Sequence, residues 1–342
     1  MEIIKSDIIH AELNLSFGKF DLSITEDLKK YLDLFEVCFG KRNNIDDSTF
    51  IWFNLNKPKF RNENFYLIDN SNDTLIAAYG LFPGELFFEN NKLNSAVCTN
   101  VMVNPLGKYR GKGLFQLIGK LSLNFLQNNL KMDFALGVPN QAAIRGHLRI
   151  GWEQQPNLNF LEKKVSSETI CETEKYKLIN VDSFEGNILD IELQKFYNKY
   201  SFYFKKCPST LDWRFNKNNE KYTKLILKDE GINSGFLVYK IFYDSDSKIR
   251  KFHIMDFAYT SSNHLKFLLK KINSIAFELS CDLINLWYIK SKSVSEEFTV
   301  FKSMNYTFSQ VEDNMMIFYS DIDFSKVSFS DFHICLADND VY

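Results

Sequence analysis

Two glycines flanked by cationic residues separate an apolar segment from one with helical periodicity. The run is Lys108-Tyr109-Arg110-Gly111-Lys112-Gly113, and Leu114 begins the helical pattern. Glycine lets backbone N–H groups approach a ligand closely, and a helix N-terminus adds further donors with a positive partial charge. The run is therefore predicted to bind the phosphates of a ligand.

Neither of two common nucleotide-binding motifs matches this loop. A Walker loop requires GxxxxGK[ST], and the dinucleotide motif requires a third glycine and a distal acidic residue. The apolar segment before the loop, Ala96 to Val103, is predicted to be a buried strand. Glycine and basic residues before a helix also form ordinary surface turns, so the loop alone does not assign a ligand.

A second motif follows the loop, and together the two resemble a known superfamily. Residues Asn140 to Trp152 read NQAAIRGHLRIGW. This is similar to the closing helix of the GNAT acyltransferases, N-x-x-A-x-x-x-Y-x-x-x-G-[FWY], with His147 where tyrosine is usual. The glycine loop resembles the pyrophosphate loop of the same superfamily, [QR]-x-x-G-x-[GA], with Lys108 where glutamine or arginine is usual.

The resemblance implies that acyl-coenzyme A is the co-substrate. In family members the pantetheine arm lies between two diverging strands, which correspond here to Ala96 to Val103 and Asp133 to Val138. Backbone groups of Val101, Met102 and Val103 would pair with the arm, and Asn140 would bind its amide end. The loop from Lys108 to Leu114 would hold the pyrophosphate.

Two residues are candidates for proton transfer. His147 occupies the position from which the family tyrosine protonates the departing CoA thiolate, and a protonated histidine could do the same. The alternative is a histidine beside CoA with no part in proton transfer. Asp256 lies in the apolar segment Lys251 to Tyr259, where a polar group needs a partner or a cleft. It is a candidate base for the attacking amine, or else a carboxylate bonded to the backbone.

Four further residues are candidates for binding the acceptor. His253 is the other polar residue inside the same apolar segment, and Glu85 is predicted to lie in a turn as a reserve base. Trp213 and Arg214 could stack on a nucleotide base and pair with a phosphate. The alternatives are a solvated Glu85 and a Trp213 that belongs to the core.

The predicted elements occur twice along the 342 residues. The segments Ser48 to Phe53 and Ser209 to Phe215 are alike, and each precedes two strands, a buried strand, a long helix, a strand and a helix. We predict a tandem duplication of a mixed α/β domain, with flanking helices on each sheet, at residues 1–170 and 171–342. The first domain would bind acyl-CoA. The second has no glycine loop and would shape the acceptor site. Two unrelated α/β domains are the alternative.

Composition and charge exclude several classes of partner. The net charge is -2 and no basic run occurs, so neither nucleic acid nor a membrane is expected as a partner. The six cysteines form no CxxC pair and no Cys/His cluster at zinc spacing, which predicts reduced thiols and no metal. The first residues lack the pattern of a signal peptide, so the cytoplasm is the expected location.

Three short segments resemble two-domain GNAT proteins of bacterial surface-polysaccharide pathways: Trp52 to Pro58, Asp212 to Phe215 and Asp338 to Asp340. This resemblance implies an N-acyltransferase acting on a nucleotide-linked amino sugar, such as a dTDP-aminodeoxyhexose. A Fem-like aminoacyltransferase is one alternative, but such proteins should lack a CoA loop and carry a basic surface for tRNA. A non-catalytic ligand-binding module is the other.

Overall fold

Two compact units make up the chain, and each contains a mixed sheet with helices packed on it. Unit 1 comprises Met1–Glu85, Leu93–Gln155 and Met316–Asp323, and unit 2 comprises Leu86–Lys92, Pro156–Met315 and Phe324–Tyr342. The computed structural model describes residues 6–40, 51–52, 63–89, 91–167, 175–216, 221–289, 295–310, 314–320, 322 and 332–338.

The sheet of unit 1 has the strand order β1-β2-β3-β4-β5-β6-β15. Its first three pairs are antiparallel, β5 and β6 are parallel, and β15 is antiparallel to β6. The strands are β1 (Ser6–His10), β2 (Leu13–Lys19), β3 (Glu63–Asp69), β4 (Thr74–Phe88), β5 (Asn91–Val103), β6 (Phe134–Gly137) and β15 (Asn314–Ser320). The described helices are α1 (Thr25–Phe39), α2 (Leu114–Leu130) and α3 (Gln141–Leu148).

The sheet of unit 2 has the order β7-β13-β12-β11-β10-β8, in which β12 and β13 form the parallel pair. These strands are β7 (Glu153–Lys164), β8 (Tyr176–Val181), β10 (Tyr222–Asp229), β11 (Ile232–Asp244), β12 (Ile249–Tyr259) and β13 (Leu283–Ile289). Of three short strands, β14 (Thr307–Phe308) pairs with β7, and β9 (Phe202–Phe204) pairs with β16 (Phe332–His333) and with Leu86–Phe88 at the end of β4. The helices are α4 (Asp190–Tyr197), α5 (Pro208–Phe215), α6 (Ser262–Glu278), α7 (Glu296–Ser303) and a 3-10 turn at Leu336–Asp338.

The two halves of the chain repeat one plan, which confirms the predicted fold class. Helices α2 and α6 follow β5 and β12, which occupy matching places in the two halves, and each helix has 17 residues. Gly80 on β4 and Gly235 on β11 occupy matching strands, where an added Cβ would lie 2.7 Å from the Thr99 carbonyl oxygen and 2.6 Å from that of Ala258. Both positions require glycine because the neighbouring backbone approaches so closely.

The division of the chain into units differs from the predicted boundary at residue 170. Strand β7 pairs with β13, from Leu283 opposite Lys164 to Ile289 opposite Leu158, and so belongs to unit 2. The end of β15 pairs with β6 in unit 1. The last strand of each half has therefore joined the sheet that the other half begins. An alternating pattern predicts a strand but not its ladder partner, so the sequence could not reveal this exchange.

Each unit has its own apolar core. In unit 1, α1 packs on the sheet through Tyr31, whose ring meets Phe20 edge to face at 5.6 Å. In unit 2, α6 buries Leu265, Leu268 and Ile272 against the sheet at the helical spacing expected of an amphipathic helix. Among the described helices, none combines the length and apolar character that a membrane span requires.

Candidate functional site

The ladder between β5 and β6 covers only part of β5, which continues past the end of β6. Their parallel ladder joins Ser95 to Phe134 and ends with Val97 opposite Leu136. Beyond that point Asn100 has a φ of 45°, a left-handed conformation that interrupts a strand. The backbone from Val101 to Val103, which was predicted to pair with pantetheine, lies past the end of this ladder. Met102 is 1% exposed and packs into the core beside α1, whereas Val101 and Val103 on either side of it are half-buried.

The glycine loop follows β5 and leads directly into α2. Gly111 and Gly113 have φ values of 74° and 70°, which strain any residue with a Cβ. Helix α2 begins at Leu114 with Gly113 as its N-cap, no side chain caps it, and its first turn contains no acidic residue. The first N–H groups of a helix have no partner inside the helix and carry positive partial charge. This helix start is therefore suited to bind an anion.

Two residues of the predicted phosphate loop contact a buried carboxylate outside the loop. Lys108 Nζ lies 2.8 Å from Asp69 Oδ2, and the Tyr109 hydroxyl donates to the same oxygen at 3.0 Å. Asp69 is 1% exposed. Burial alone would raise its pKa, but hydrogen bonds from Lys108, Ser71 and Tyr109 outweigh burial and keep the pKa below its usual range. These contacts hold the side chains of Lys108 and Tyr109, and the predicted contact of both residues with the cofactor stays a prediction. Arg110 is exposed.

The far end of the loop is held by a residue that the sequence did not indicate. His10 Nε2 lies 2.7 Å from the carbonyl oxygen of Lys112. In a trans peptide the C=O and N–H bonds point in opposite directions, so this contact turns the N–H of Gly113 away from His10. No sequence signal marks His10, because it lies on β1, far from the loop along the chain.

Helix α3 supplies the second predicted motif and packs tightly on α2. A Cβ on Gly146 would lie 2.5 Å from Phe115 Cδ1, so glycine is required at this helix crossing. The side chain of Asn140 caps α3, with Oδ1 accepting the N–H of Ala143 at 3.0 Å. The oxygen of Asn140 is therefore engaged by its own helix. Its predicted contact with pantetheine would rest on the amide nitrogen.

His147 lies inside unit 1 rather than at a surface. It is 2% exposed, its Nδ1 is 3.3 Å from the Tyr79 hydroxyl, and the rings of Phe115 and Trp152 meet it edge to face. Burial lowers its pKa to about 4. The imidazole is therefore neutral at pH 7 and has no acidic proton to give a thiolate. This environment contradicts the predicted role as general acid.

Asp256 is also fully buried, at 0% exposure, in unit 2. Its Oδ2 lies 2.7 Å from Lys206 Nζ, and Lys206 also pairs with Asp338 Oδ1 at 3.0 Å. Burial would raise the pKa of Asp256, but the positive charge of Lys206 keeps it below its usual value. An amine substrate cannot reach this carboxylate, and its low basicity opposes proton abstraction. The predicted base role is therefore corrected.

The remaining acceptor candidates in the buried strands also differ from expectation. His253 is 5% exposed, its Nδ1 bonds to Asn285 Oδ1, and burial lowers its pKa to about 4. It ends the parallel ladder between β12 and β13. Glu85 lies within β4 instead of a turn and is half-buried.

Trp213 and Arg214 lie on the short helix α5, which a buried carboxylate fixes in place. Asp212 accepts the N–H of Phe184 at 2.8 Å and pairs with Lys224 Nζ at 3.0 Å. Arg214 is 8% exposed and Trp213 is half-buried. Asp212 thus fixes α5 to Phe184 and to Lys224 on β10, and the predicted nucleotide contacts of Trp213 and Arg214 stay a prediction.

Comparison with known proteins identifies the domain that carries the loop. Residues 21–155 match the family model of the acetyltransferase (GNAT) domain. This part of the chain is therefore similar to GNAT acetyltransferase domains, and both sequence motifs lie within it. A comparison with curated protein sequences finds no match.

Solved structures share the fold over most of the chain. A GCN5-related N-acetyltransferase from Anabaena variabilis has a TM-score of 0.67 and 14% identity, covering 89% of this chain and 72% of its own. A probable N-acyltransferase from Enterococcus faecalis has a TM-score of 0.67 and 16% identity, also covering 89% of this chain and 72% of its own. N-myristoyltransferase from Saccharomyces cerevisiae with bound myristoyl-CoA has a TM-score of 0.61 and 11% identity, covering 93% of this chain and 85% of its own.

Proposed function

We propose that this GNAT protein, an acyl-CoA-dependent N-acyltransferase, transfers its acyl group to the amine of a nucleotide-linked amino sugar. One arrangement in unit 1 carries the acyl-CoA part of the proposal. The ladder between β5 and β6 ends at Val97, and β5 then leads through two left-handed glycines into the uncapped start of α2. These features provide a length of β5 beyond the ladder for an extended arm and donors for an anion at one end of the same strand.

In this proposal each part of the cofactor meets a different part of unit 1. The pyrophosphate lies on the N–H groups from Gly111 to Leu114, where a helix start favours negative charge. The pantetheine arm follows the backbone of Val101, Met102 and Val103, as an added strand would. The thioester then lies near Asn100, past the end of the ladder between the two strands.

The matching helix of unit 2 differs at the atoms that would bind phosphate. Ser261 caps α6, with its Oγ accepting the N–H of His264 at 3.3 Å, whereas no side chain caps α2. The segment before α6 also contains no glycine. A single CoA site, in unit 1, follows from this difference.

The chemistry is nucleophilic acyl transfer. The neutral acceptor amine attacks the thioester carbon, so a C–N bond forms and the C–S bond breaks, and the amine proton is lost while CoA leaves as the thiol. Because His147 and Asp256 are buried, we assign the rate enhancement to positioning of the thioester and the amine and not to these two side chains. The amino-sugar acceptor is supported by the resemblance of three short segments to two-domain GNAT proteins of bacterial surface-polysaccharide pathways: Trp52 to Pro58, Asp212 to Phe215 and Asp338 to Asp340.

The CoA site is tested with a matched set of glycine variants. Gly111→Asp and Gly113→Asp place a carboxylate where the pyrophosphate is proposed to lie, and each should weaken CoA binding at least tenfold in calorimetry. Gly107→Asp adds the same charge nearby, at a position where a Cβ meets nothing within 4 Å and φ is not left-handed. It should retain affinity within about threefold. Wild-type affinity in either loop variant would refute the site.

The acceptor is tested separately by release of free CoA thiol. Acyl-CoAs of increasing chain length are combined with nucleotide-linked amino sugars, free amino sugars and peptide amines. Turnover with a nucleotide-linked amino sugar well above the other amines is the expected result. Turnover with peptides alone would retain the acyl-CoA proposal and reject the sugar, and use of aminoacyl-tRNA would favour the Fem-like alternative.

A further inference from the structure

Unit 2 buries a cluster of ionisable side chains that the acyl-transfer proposal does not use. Asp256 on β12 is 0% exposed, and His333 on β16 and Cys335 just after it are each 3% exposed. The side chains of Lys206 and Asp338, which complete the cluster, are 9% and 5% exposed. Groups of this kind are rarely buried without a specific partner.

Three atoms of this cluster that can each bind a metal ion lie close to one another. Cys335 Sγ lies 3.2 Å from His333 Nε2, and the same Nε2 lies 3.9 Å from Asp256 Oδ1. All three donors lie within 4.8 Å of one another. Ligands of a tetrahedral zinc ion, at about 2.0–2.3 Å from the metal, are separated by roughly 3.3–3.8 Å. In a Cys-His-Asp proton relay the thiol and the carboxylate would contact different ring nitrogens, whereas here both face Nε2.

One of these three potential metal ligands, a carboxylate oxygen, has no hydrogen-bond partner. Asp256 Oδ2 is bonded to Lys206, but Oδ1 is buried and accepts no hydrogen bond. A buried carboxylate oxygen left in this state costs free energy unless a cation or a donor satisfies it. Oδ1 is the oxygen that faces His333 and Cys335.

The cluster also contains more negative than positive charge. The single positive charge of Lys206 faces two carboxylates, Asp256 and Asp338. Glu297, whose carboxylate accepts the hydroxyls of Tyr200 and Tyr259, adds negative potential at His333. A divalent ion that binds the Cys335 thiolate would offset this excess.

We infer that Asp256 Oδ1, His333 Nε2 and Cys335 Sγ bind one divalent transition-metal ion, and that zinc suits this mixed oxygen, nitrogen and sulfur set. Lys206 neutralises the second oxygen of Asp256 without entering the coordination sphere. The ion joins β12 to the segment after β16 and so stabilises unit 2. The sequence prediction of no metal site missed these residues because His333 and Cys335 are separated by one residue and Asp256 is remote in the chain.

The test is the metal content of untagged protein, loaded with zinc and then passed through a desalting column. Mass spectrometry should find about one zinc per chain, and Cys335→Ser should reduce it at least fivefold. Cys281→Ser is the matched control, because Cys281 is a buried thiol of the same unit whose Sγ faces the Leu279 carbonyl at 4.0 Å. It should keep its zinc. Cobalt in place of zinc should give a thiolate-to-metal absorption band that Cys335→Ser abolishes.

Wild-type protein alone can overturn the inference, even if a variant fails to fold. A chelator should lower its melting temperature, and added zinc should restore it. Less than a tenth of an equivalent of metal after loading, with a melting temperature that neither chelator nor zinc changes, would mean that Lys206 alone balances the cluster. Equal zinc in wild type and Cys335→Ser would place the metal elsewhere.

Discussion

The Nε2 atom of His10 lies 2.7 Å from the carbonyl oxygen of Lys112 and so fixes the last peptide of the glycine loop before α2. His10→Ala should weaken CoA binding about 2- to 10-fold, the range that one hydrogen bond supplies. Asn14→Ala is the control, because Asn14 pairs with Asn70 and does not touch the loop. Calorimetry that finds unchanged affinity in His10→Ala would show that the loop is held without this contact.

Asp69 should matter more to CoA binding than Lys108, although Lys108 lies in the motif. Asp69 holds both Lys108 and Tyr109, whereas the Lys108 side chain is 51% exposed and its ion pair is screened by solvent. Asp69→Asn should therefore raise the dissociation constant of CoA several-fold and lower the melting temperature. Lys108→Met should change the dissociation constant and the melting temperature by smaller amounts. A larger affinity loss in Lys108→Met would mean that its ammonium contacts the cofactor directly.

The pH dependence at Asp69 follows from the sign of its shift. Its pKa is held below the usual value in the folded protein, so the carboxylate stabilises the fold above about pH 3.9 and loses this effect as the pH falls further. The difference in melting temperature between wild type and Asp69→Asn should consequently shrink in acid. A difference that stays constant down to pH 3 would contradict the ionic contact.

The order of elements and the glycine loop before α2 could be predicted from the sequence, but the environments of single polar residues could not. Periodicity located β12 and α6 almost to the residue, because apolar spacing reports which side of an element is buried. The same pattern marked Asp256 as a residue that needs a partner or a cleft, whereas the resemblance of the closing-helix motif placed His147 beside CoA. Which partner it has depends on contacts far apart in the chain, such as Lys206 with Asp256 and Tyr79 with His147.

His147 should affect stability in mild acid more than it affects catalysis. Its folded pKa of about 4 lies below the unfolded value near 6.5, so the unfolded chain takes up a proton first as the pH falls between these values. Wild type should lose stability across this window, and His147→Phe should lose less. Tyr79→Phe, which removes the hydroxyl beside the imidazole but keeps the histidine, should lose as much as wild type.

A second measurement separates this structural role from acid catalysis. At pH 7 the neutral imidazole has no proton of suitable acidity for the thiolate, so His147→Phe should keep kcat within about threefold if it folds. A general acid typically contributes about 10²- to 10⁴-fold. A loss of that size, with unchanged CoA affinity, would return His147 to the mechanism.

The ion pair between Lys206 and Asp256 yields the largest expected effect on stability. Lys206→Met would leave the carboxylates of Asp256 and Asp338 buried without their shared cation, and breaking a buried pair in this way costs about 3–5 kcal/mol. Lys205→Met is the matched control, since Lys205 is the adjacent residue and is exposed. It should change stability by about 0.5 kcal/mol or less, as surface substitutions usually do.

Urea unfolding in excess chelator measures this effect without any contribution from a bound metal. Under these conditions Lys206→Met should unfold at a much lower urea concentration than Lys205→Met, with unit 2 affected first because the whole cluster lies within it. Asp256→Asn should also lose stability, but CoA affinity, which depends on unit 1, should remain at the wild-type value. If Lys206→Met unfolded at the same urea concentration as Lys205→Met, Asp256 would have to be uncharged in the folded protein, and its assignment as an ionised partner of Lys206 would fail.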